Sequence, residues 1–226
     1  MCCDAGMTGA VWPLAGLEVV TPRLTLRYIS DDLGEELALL AARAIHDAAT
    51  MPFPIPWTDV PSPELERNTL RFYWRNRAET TVEHWVLNLA AVVDGVAMGE
   101  CSIRADDFPT RRTVDTGSWV GRDYQGQGVG KEMRQAALHL IFAGFDADRA
   151  TTSAFHDNTA SLGVTRSLPY TQTGISRQQR RDRTETVIEF AMSAEQWATV
   201  RRNHIHLVGV SAVREQLMTA RLDRPG

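Results

Sequence analysis

The chain has 226 residues, 43% hydrophobic and 23% charged, the balance of an ordinary folded domain. These proportions exclude a disordered, collagen-like or disulfide-scaffold chain, and the length is enough for one buried core. Twenty-four Lys and Arg against twenty-eight Asp and Glu leave a formal charge of −4, which argues against nucleic acid as a partner.

In chain order, residues 1–16 are small, polar and rich in Gly and Ala, and are expected to form a flexible N-terminal arm. Pro22–Ile29 alternates Leu24, Leu26 and Tyr28 with Arg23, Thr25 and Arg27, the pattern of a half-buried strand. Asp31 and Asp32 are placed to cap a helix running to about Ala49. Residues 51–63 carry five prolines around Phe53 and Trp57, so a stiff aromatic loop is expected that either packs into the core or lines a site. A second helix is predicted over Glu64–Glu79. Trp85–Val93 and Val96–Arg104 flank an Asp94-Gly95 turn and read as a hairpin, with Thr113–Val120 as a further strand. Val129, Met133, Ala136, Leu140 and Ala143 recur at steps of three and four, which predicts one helix over Val129–Phe145. Ala150–Phe155 reads as a strand, and Asn158–Leu168 as a short helix stopped by Pro169. Two strands flank the basic stretch Arg177–Arg183. No linker divides the core, so one domain is expected over residues 17–192, followed by an extension, residues 193–226, that the pattern does not place.

Cys2, Cys3 and Cys101 cannot build a disulfide framework. No Cys/His group has metal-ligand spacing, and His204 and His206 stand two apart without a third ligand, so no metal is expected. No Lys or Arg precedes Arg23, so the charged start of a signal peptide is missing. The longest apolar run, Trp85–Val93, is interrupted by Asn88 and too short to span a membrane. The expectation is a reduced, soluble, cytoplasmic protein with no membrane partner.

The stretch with chemical content runs from Ser118 to Lys131: a strand, a glycine-rich turn and a long helix. A P-loop needs a Gly five positions before its Gly-Lys pair and Ser or Thr after it, but Gly130-Lys131 has Gln125 and Glu132 there. A dinucleotide fingerprint needs the spacing G-x-G-x-x-G and a later acidic residue on a second strand. Gly126, Gly128 and Gly130 instead alternate, and the later region lies inside the helix. The turn is suited to a diphosphate all the same. Glycines admit close backbone approach, and successive N–H groups at a helix N-terminus add donors and the positive end of a dipole.

Gln125-Gly126-Gln127-Gly128-Val129-Gly130 resembles the Q/R-x-x-G-x-G/A pyrophosphate loop of the GCN5-related N-acetyltransferases. Three further segments, in the right order, are similar to the subfamily that acylates ribosomal-protein N-termini. Thr21–Arg27 looks like its first strand, Asp115–Val120 like its E-I-G-Y-W-L strand, and Asp157–Ser161 with Ser167–Tyr170 like its N-x-x-S helix and next strand. Pro52–Trp57, Asp107–Pro109 and Gly117–Gly121 look closest to an actinobacterial branch, for which succinyl donors stand beside acetyl. The resemblance covers roughly residues 17–192. It implies an α/β fold with a central mixed, mostly antiparallel sheet flanked by helices. It also implies an acyl-CoA-dependent N-acyltransferase in which a primary amine, on a peptide N-terminus or a small molecule, attacks the thioester directly. A non-catalytic CoA-binding or assembly module is the alternative, and packing of the tail after Trp197 on a second copy would give a homo-oligomer.

The resemblance also suggests roles. Trp119 and Val120 would lie on a splayed strand whose N–H groups hold the pantetheine arm, although burial alone is a sufficient reason for a Trp. Gln125, Gly126, Gln127, Gly128, Val129 and Gly130 would hold the pyrophosphate. Asn158 matches a pantetheine-contacting Asn, or simply caps the helix beginning near Thr159. Ser161 falls where the subfamily carries a Ser near the thioester sulfur and is the candidate acid, while Thr165 stands where most other relatives have Tyr. Asp115 matches the subfamily's strand Glu, one methylene shorter, and is the first candidate base, acting through a water. Glu100 on the neighbouring strand is its competitor, and both can be plain sheet-edge charges. Arg177, Arg180, Arg181 and Arg183 read either as a solvated turn or as forks for an acidic group.

Overall fold

The computed structural model describes residues 9–218. Its strands are β1 (Glu18–Val20), β2 (Thr25–Tyr28), β3 (His84–Val93), β4 (Val96–Asp106), β5 (Thr113–Val120), β6 (Arg149–Phe155), β7 (Thr171–Arg180), β8 (Arg183–Ser193) and β9 (His206–Val208). Its α-helices of five residues or more are α1 (Asp31–Arg43), α2 (Glu64–Ala78), α3 (Val129–His139), α4 (Thr159–Arg166), α5 (Ala194–Ala198) and α6 (Val210–Met218). Among the described residues the strands form one sheet in the order β7-β8-β6-β5-β4-β3-β2-β1-β9. Every neighbouring pair is antiparallel except β5 and β6, which run parallel. Among the described residues no helix is long and apolar enough to cross a membrane.

Strand alternation sorts the core onto the two faces of this sheet. Trp85, Leu87, Leu89, Cys101, Ile103 and Val114 join Met133, Ala136 and Leu140 of the α3 region. Ala90, Val92, Ala97 and Trp119 point the other way, onto Leu33, Leu37 and Leu40 of α1 and Leu65 and Tyr73 of α2. The β3–β4 turn has φ of 49° at Asp94 and 81° at Gly95, the pair of positive values a tight hairpin turn of this kind requires.

Three local differences from the sequence reading have physical causes. Ser30, not Asp31 or Asp32, caps α1, its hydroxyl accepting from the Leu33 N–H at 3.3 Å; the two acids fill the first turn. The helix stops at Arg43, short of Ala49, because distant donors take the next carbonyls: Arg122 N–H bonds Ala44 O and Gln125 Nε2 bonds Ile45 O. Beyond α3, Leu140–Gly144 opens into a wider π-type turn in which Phe145 N–H reaches back to Leu140 O at 2.8 Å. That turn accompanies a fully buried Phe145 ring set edge-on to Trp85.

Packing also crosses both expected domain boundaries. Leu14, in the short turn Pro13–Gly16, is fully buried in the main core, while residues 1–8 lie outside the described residues. At the other end β9 pairs with β1, and Val213 and Leu217 of α6 are fully buried. The tail is part of the same core up to Met218.

Candidate functional site

The parallel β5–β6 pair is in register only over Thr113–Asp115 with Arg149–Thr151. Hydroxyls bridge the point where the strands separate: Thr116 Oγ1 donates to Thr151 O at 3.0 Å, and Thr152 Oγ1 to Thr116 O at 2.9 Å. Since Thr116 turns its carbonyl to β6, strand alternation turns the backbone of Ser118 and Val120 to the same side, into the open V. Gly121 N–H, of opposite parity, bonds Met98 O on the β4 side. Val120 O is taken by Gln125 Nε2 at 2.8 Å, so the Ser118 backbone and the Val120 N–H are what β5 offers to the gap.

The glycine turn follows at once. Gly126 and Gly128 have φ of 73° and 83°, values that L side chains rarely adopt, and Gly128 is the residue from which α3 starts. The first intrahelical bond is Glu132 N–H to Gly128 O, so the N–H groups of Val129, Gly130 and Lys131 have no helical partner. Gln125 spends its amide on Ile45 O and Val120 O, and Gln127 spends its own on Asp123 O, so both side chains brace the turn. Arg23, read in the sequence only as a strand residue, donates from Nη2 to Gln127 O at 2.8 Å and pairs with Glu132 at 3.5 Å. Glu132 also accepts from Thr21 Oγ1 at 2.7 Å, which ties the start of α3 to the β1–β2 connection.

A cavity of about 400 Å³ occupies the V. Its wall includes Ser118, Trp119 and Val120 of β5, Gln125 and Gly130 of the turn, and Met133 and Arg134 of α3. Asn158, Ser161 and Val164 close one side, Ile45–Asp47 and Thr50–Phe53 another, and Arg180 a third. It therefore joins Trp119, Val120, Gln125, Gly130, Asn158 and Ser161 of the sequence-derived set. Gly126, Gln127, Gly128 and Val129 lie in the adjoining turn and not in the wall. Asn158 caps α4, its Oδ1 accepting from Ser161 N–H at 3.1 Å, so the Ser161 hydroxyl is not the capping group. The proline loop takes both of its expected parts: Phe53 and Trp57 pack against the second core cluster, with Trp57 6.1 Å from Trp119, while Met51–Phe53 face the cavity. His46 contributes no free base, because Nδ1 meets Asp47 O at 2.8 Å and Nε2 meets Thr58 Oγ1 at 2.7 Å.

Neither candidate base lines the cavity. Both occupy the α1–α2 face of the sheet, Glu100 opposite Trp119 in register and Asp115 opposite Arg104. Asp115 is half-buried, and burial raises its pKa against the opposing hydrogen bond from Thr151 Oγ1 at 2.9 Å. Glu100 is 5% exposed; burial pushes its pKa up to about 7, against the Asn88 amide bonded at 2.9 Å. Asn88 is held in turn by Asn76 Nδ2 at 2.7 Å. The register puts Glu100 beside a wall residue and Asp115 four residues away, about 13 Å along the strand.

In the basic hairpin Arg180 and Arg181 are engaged in ion pairs, while Arg177, Arg181 and Arg183 stay exposed. Arg180 grips Asp157 with two bonds of 2.8 Å and lies 4.4 Å above the Phe155 ring. Arg181 grips Asp59 of the proline loop with two bonds of 2.7 Å. Arg177 donates to Thr184 O across the hairpin.

The sequence model of a family described as acetyltransferase (GNAT) domain matches residues 23–171. Among solved structures, the acetyltransferase (GNAT family) from Bacillus anthracis superposes with a TM-score of 0.63 at 16% identity, covering 79% of this chain and 99% of its own. RimL, a ribosomal alpha-N-protein acetyltransferase solved in complex with coenzyme A, gives 0.64 at 19% identity, covering 77% and 96%. YncA from Salmonella typhimurium, solved with acetyl-CoA, gives 0.55 at 20% identity, covering 76% and 94%. At such identities the likeness concerns the fold.

Proposed function

The chain belongs to the acetyltransferase (GNAT) family, and from that premise we propose an acyl-CoA-dependent N-acyltransferase that carries an acetyl or succinyl group directly to a primary amine. The observation that carries the reading is the cavity in the β5–β6 gap. It joins a strand end with an open N–H, a helix N-terminus behind a glycine turn, and Ser161. These features fit the parts of an acyl-CoA. A diphosphate suits the free N–H groups of α3, an amide-bearing arm suits the open edge of β5, and Asn158 stands beside it.

Acyl-CoA, when bound, supplies the activated thioester. The chain's own groups do the rest. Val120 N–H is aimed into the gap to donate to a carbonyl oxygen there, a bond that strengthens as the oxygen gains charge. The C–N bond forms as the C–S bond breaks and the proton shed by the attacking nitrogen passes to a base; the departing sulfur takes a proton from Ser161 Oγ, which recovers it from the protonated base through water. We place the base at Glu100 ahead of Asp115. Glu100 adjoins the wall residue Trp119, and a pKa of about 7 suits proton transfer near neutral pH. A water relay is needed from either carboxylate. The acceptor is a peptide N-terminus, as the ribosomal-protein subfamily suggests, or a small amine meeting the loop Thr50–Phe53.

Release of free thiol from acetyl- and succinyl-CoA over a panel of peptide and small-molecule amines tests this, with mass spectrometry of the products. Glu100→Gln should lower turnover by roughly 10²–10⁴ while CoA affinity changes little. CoA binding by the native protein with no thiol release from any pairing would leave a non-catalytic CoA-binding module as the better reading.

A further inference from the structure

Arg134 brings a buried charge to the cavity wall. It is 4% exposed, and among the described residues no carboxylate lies within ion-pair distance of it; Asp115, on the other face of β5, acts only from further away. Nη1 donates to Thr116 Oγ1 at 3.0 Å and Nη2 weakly to Ser118 Oγ at 3.5 Å. Both are neutral hydroxyls. Nε is buried without an acceptor. Beside it the Tyr170 hydroxyl is also buried; it makes no hydrogen bond of good geometry, yet lies close enough to the guanidinium to interact with it. A buried cation whose well-formed bonds go only to neutral hydroxyls, with no carboxylate in ion-pair distance, asks for a ligand that is anionic and accepts hydrogen bonds. A carboxylate has that charge and matches the planar fork of a guanidinium.

Position along β5 says which carboxylate. Val120 N–H, placed above at the thioester carbonyl, is two residues from Ser118 and four from Thr116, about 7 and 13 Å deeper into the V. An acetyl methyl ends about 1.5 Å beyond the carbonyl carbon and leaves the guanidinium unmet. A succinyl chain carries its carboxylate oxygens about 5 Å beyond the carbonyl carbon, and a hydrogen bond of about 2.9 Å then reaches the level of Ser118, where Nη2 lies.

We propose that Arg134 binds the terminal carboxylate of the acyl group, so that the preferred donor is the CoA thioester of a short dicarboxylic acid. The proposal rests on the acyl-CoA reading above and names its donor class. The test compares binding of succinyl-CoA and butyryl-CoA to the full-length protein by calorimetry, with CoA itself as reference. The two acyl groups have equal chain length and differ in charge. Succinyl-CoA should bind at least about tenfold more tightly, and Arg134→Met should erase that ratio while Arg134→Lys keeps part of it. Equal or weaker binding of succinyl-CoA by the native protein overturns the proposal, whatever the variants do. So does a carboxylate preference that depends on Arg134 but follows the acceptor amine instead of the donor. Failure of CoA itself to bind brings down the acyl-CoA reading and this inference together. Binding of CoA without discrimination between the two thioesters removes this inference alone.

Discussion

Glu100 sits beneath α2 with the Asn88 amide as its donor and the buried Tyr73 ring nearby, and the Glu100 charge helps to raise the Tyr73 pKa. Burial lifts its own pKa from 4.5 to about 7, so between those values the folded protein holds a proton that the unfolded chain has released. The stabilisation is therefore complete below pH 4.5 and is lost as the pH rises through 7, a loss on the order of 3 kcal/mol. Melting temperatures measured from pH 4.5 to 8 should decline across this window in the native protein. In Glu100→Gln, which keeps an acceptor for Asn88 and cannot ionise, the decline should flatten and the variant should be the more stable of the two at pH 8. Parallel curves for the two proteins would mean that Glu100 is already ionised in the fold at pH 5. The same substitution lowers turnover if Glu100 is the base, so stability and rate move in opposite directions at one residue.

At the level of elements, the turn before α3 depends on backbone shape at Gly128. A side chain there must hold φ near 83° and would bring its Cβ to 3.1 Å from Arg23 Nη1. Gly128→Val should cost about 1–2 kcal/mol of stability through that strain, and should abolish CoA binding because the valine stands where a phosphate must approach. Calorimetry on a folded variant with native affinity would remove the turn from the cofactor site. This element was legible in the sequence because turn chemistry is local: glycine spacing, the preceding strand and the apolar stripe of α3 lie within about thirty residues. The β3–β4 hairpin and β5 were legible for the same reason. What surrounds them was not. Arg23 reaches the turn from 104 residues away, and Gln125 reaches Ile45 from 80, so neither bond leaves a periodic trace. Arg134 follows Met133 in an amphipathic helix and reads there as a solvent-facing charge; only its burial against Thr116 shows otherwise. The three-residue strand β9 is too short to show alternation, and its partner β1 lies near the other end of the chain.

Across the whole molecule the sheet behaves as two blades joined at one edge. The three registered pairs of β5 and β6 hold the closed end of the V, and the cavity occupies the open end. There the β7–β8 turn reaches over. Arg181 bonds Asp59 twice and Ala48 O at 3.2 Å, and Arg180 bonds Met51 O at 3.3 Å while anchored on Asp157 of its own blade. Both partners of the Arg181–Asp59 pair are partly exposed, 32% and 41%, so the pair adds little to global stability. Its consequence is local, because the proline loop it holds is also cavity wall. Arg181→Ala should shift the melting temperature by no more than about 2–4 °C. It should nevertheless raise hydrogen exchange over residues 44–59 and speed the release of bound CoA, since the loop then opens without unfolding the sheet. Salt should do part of the same in the native protein by screening the pair. Arg180→Ala should cost more stability, its side chain being 14% exposed and stacked on Phe155. Exchange mass spectrometry and stopped-flow release at two ionic strengths read both effects. Unchanged exchange in residues 44–59 together with unchanged CoA release in Arg181→Ala would show that the proline loop holds its place without the hairpin, and that the V is kept closed from the β5–β6 edge alone.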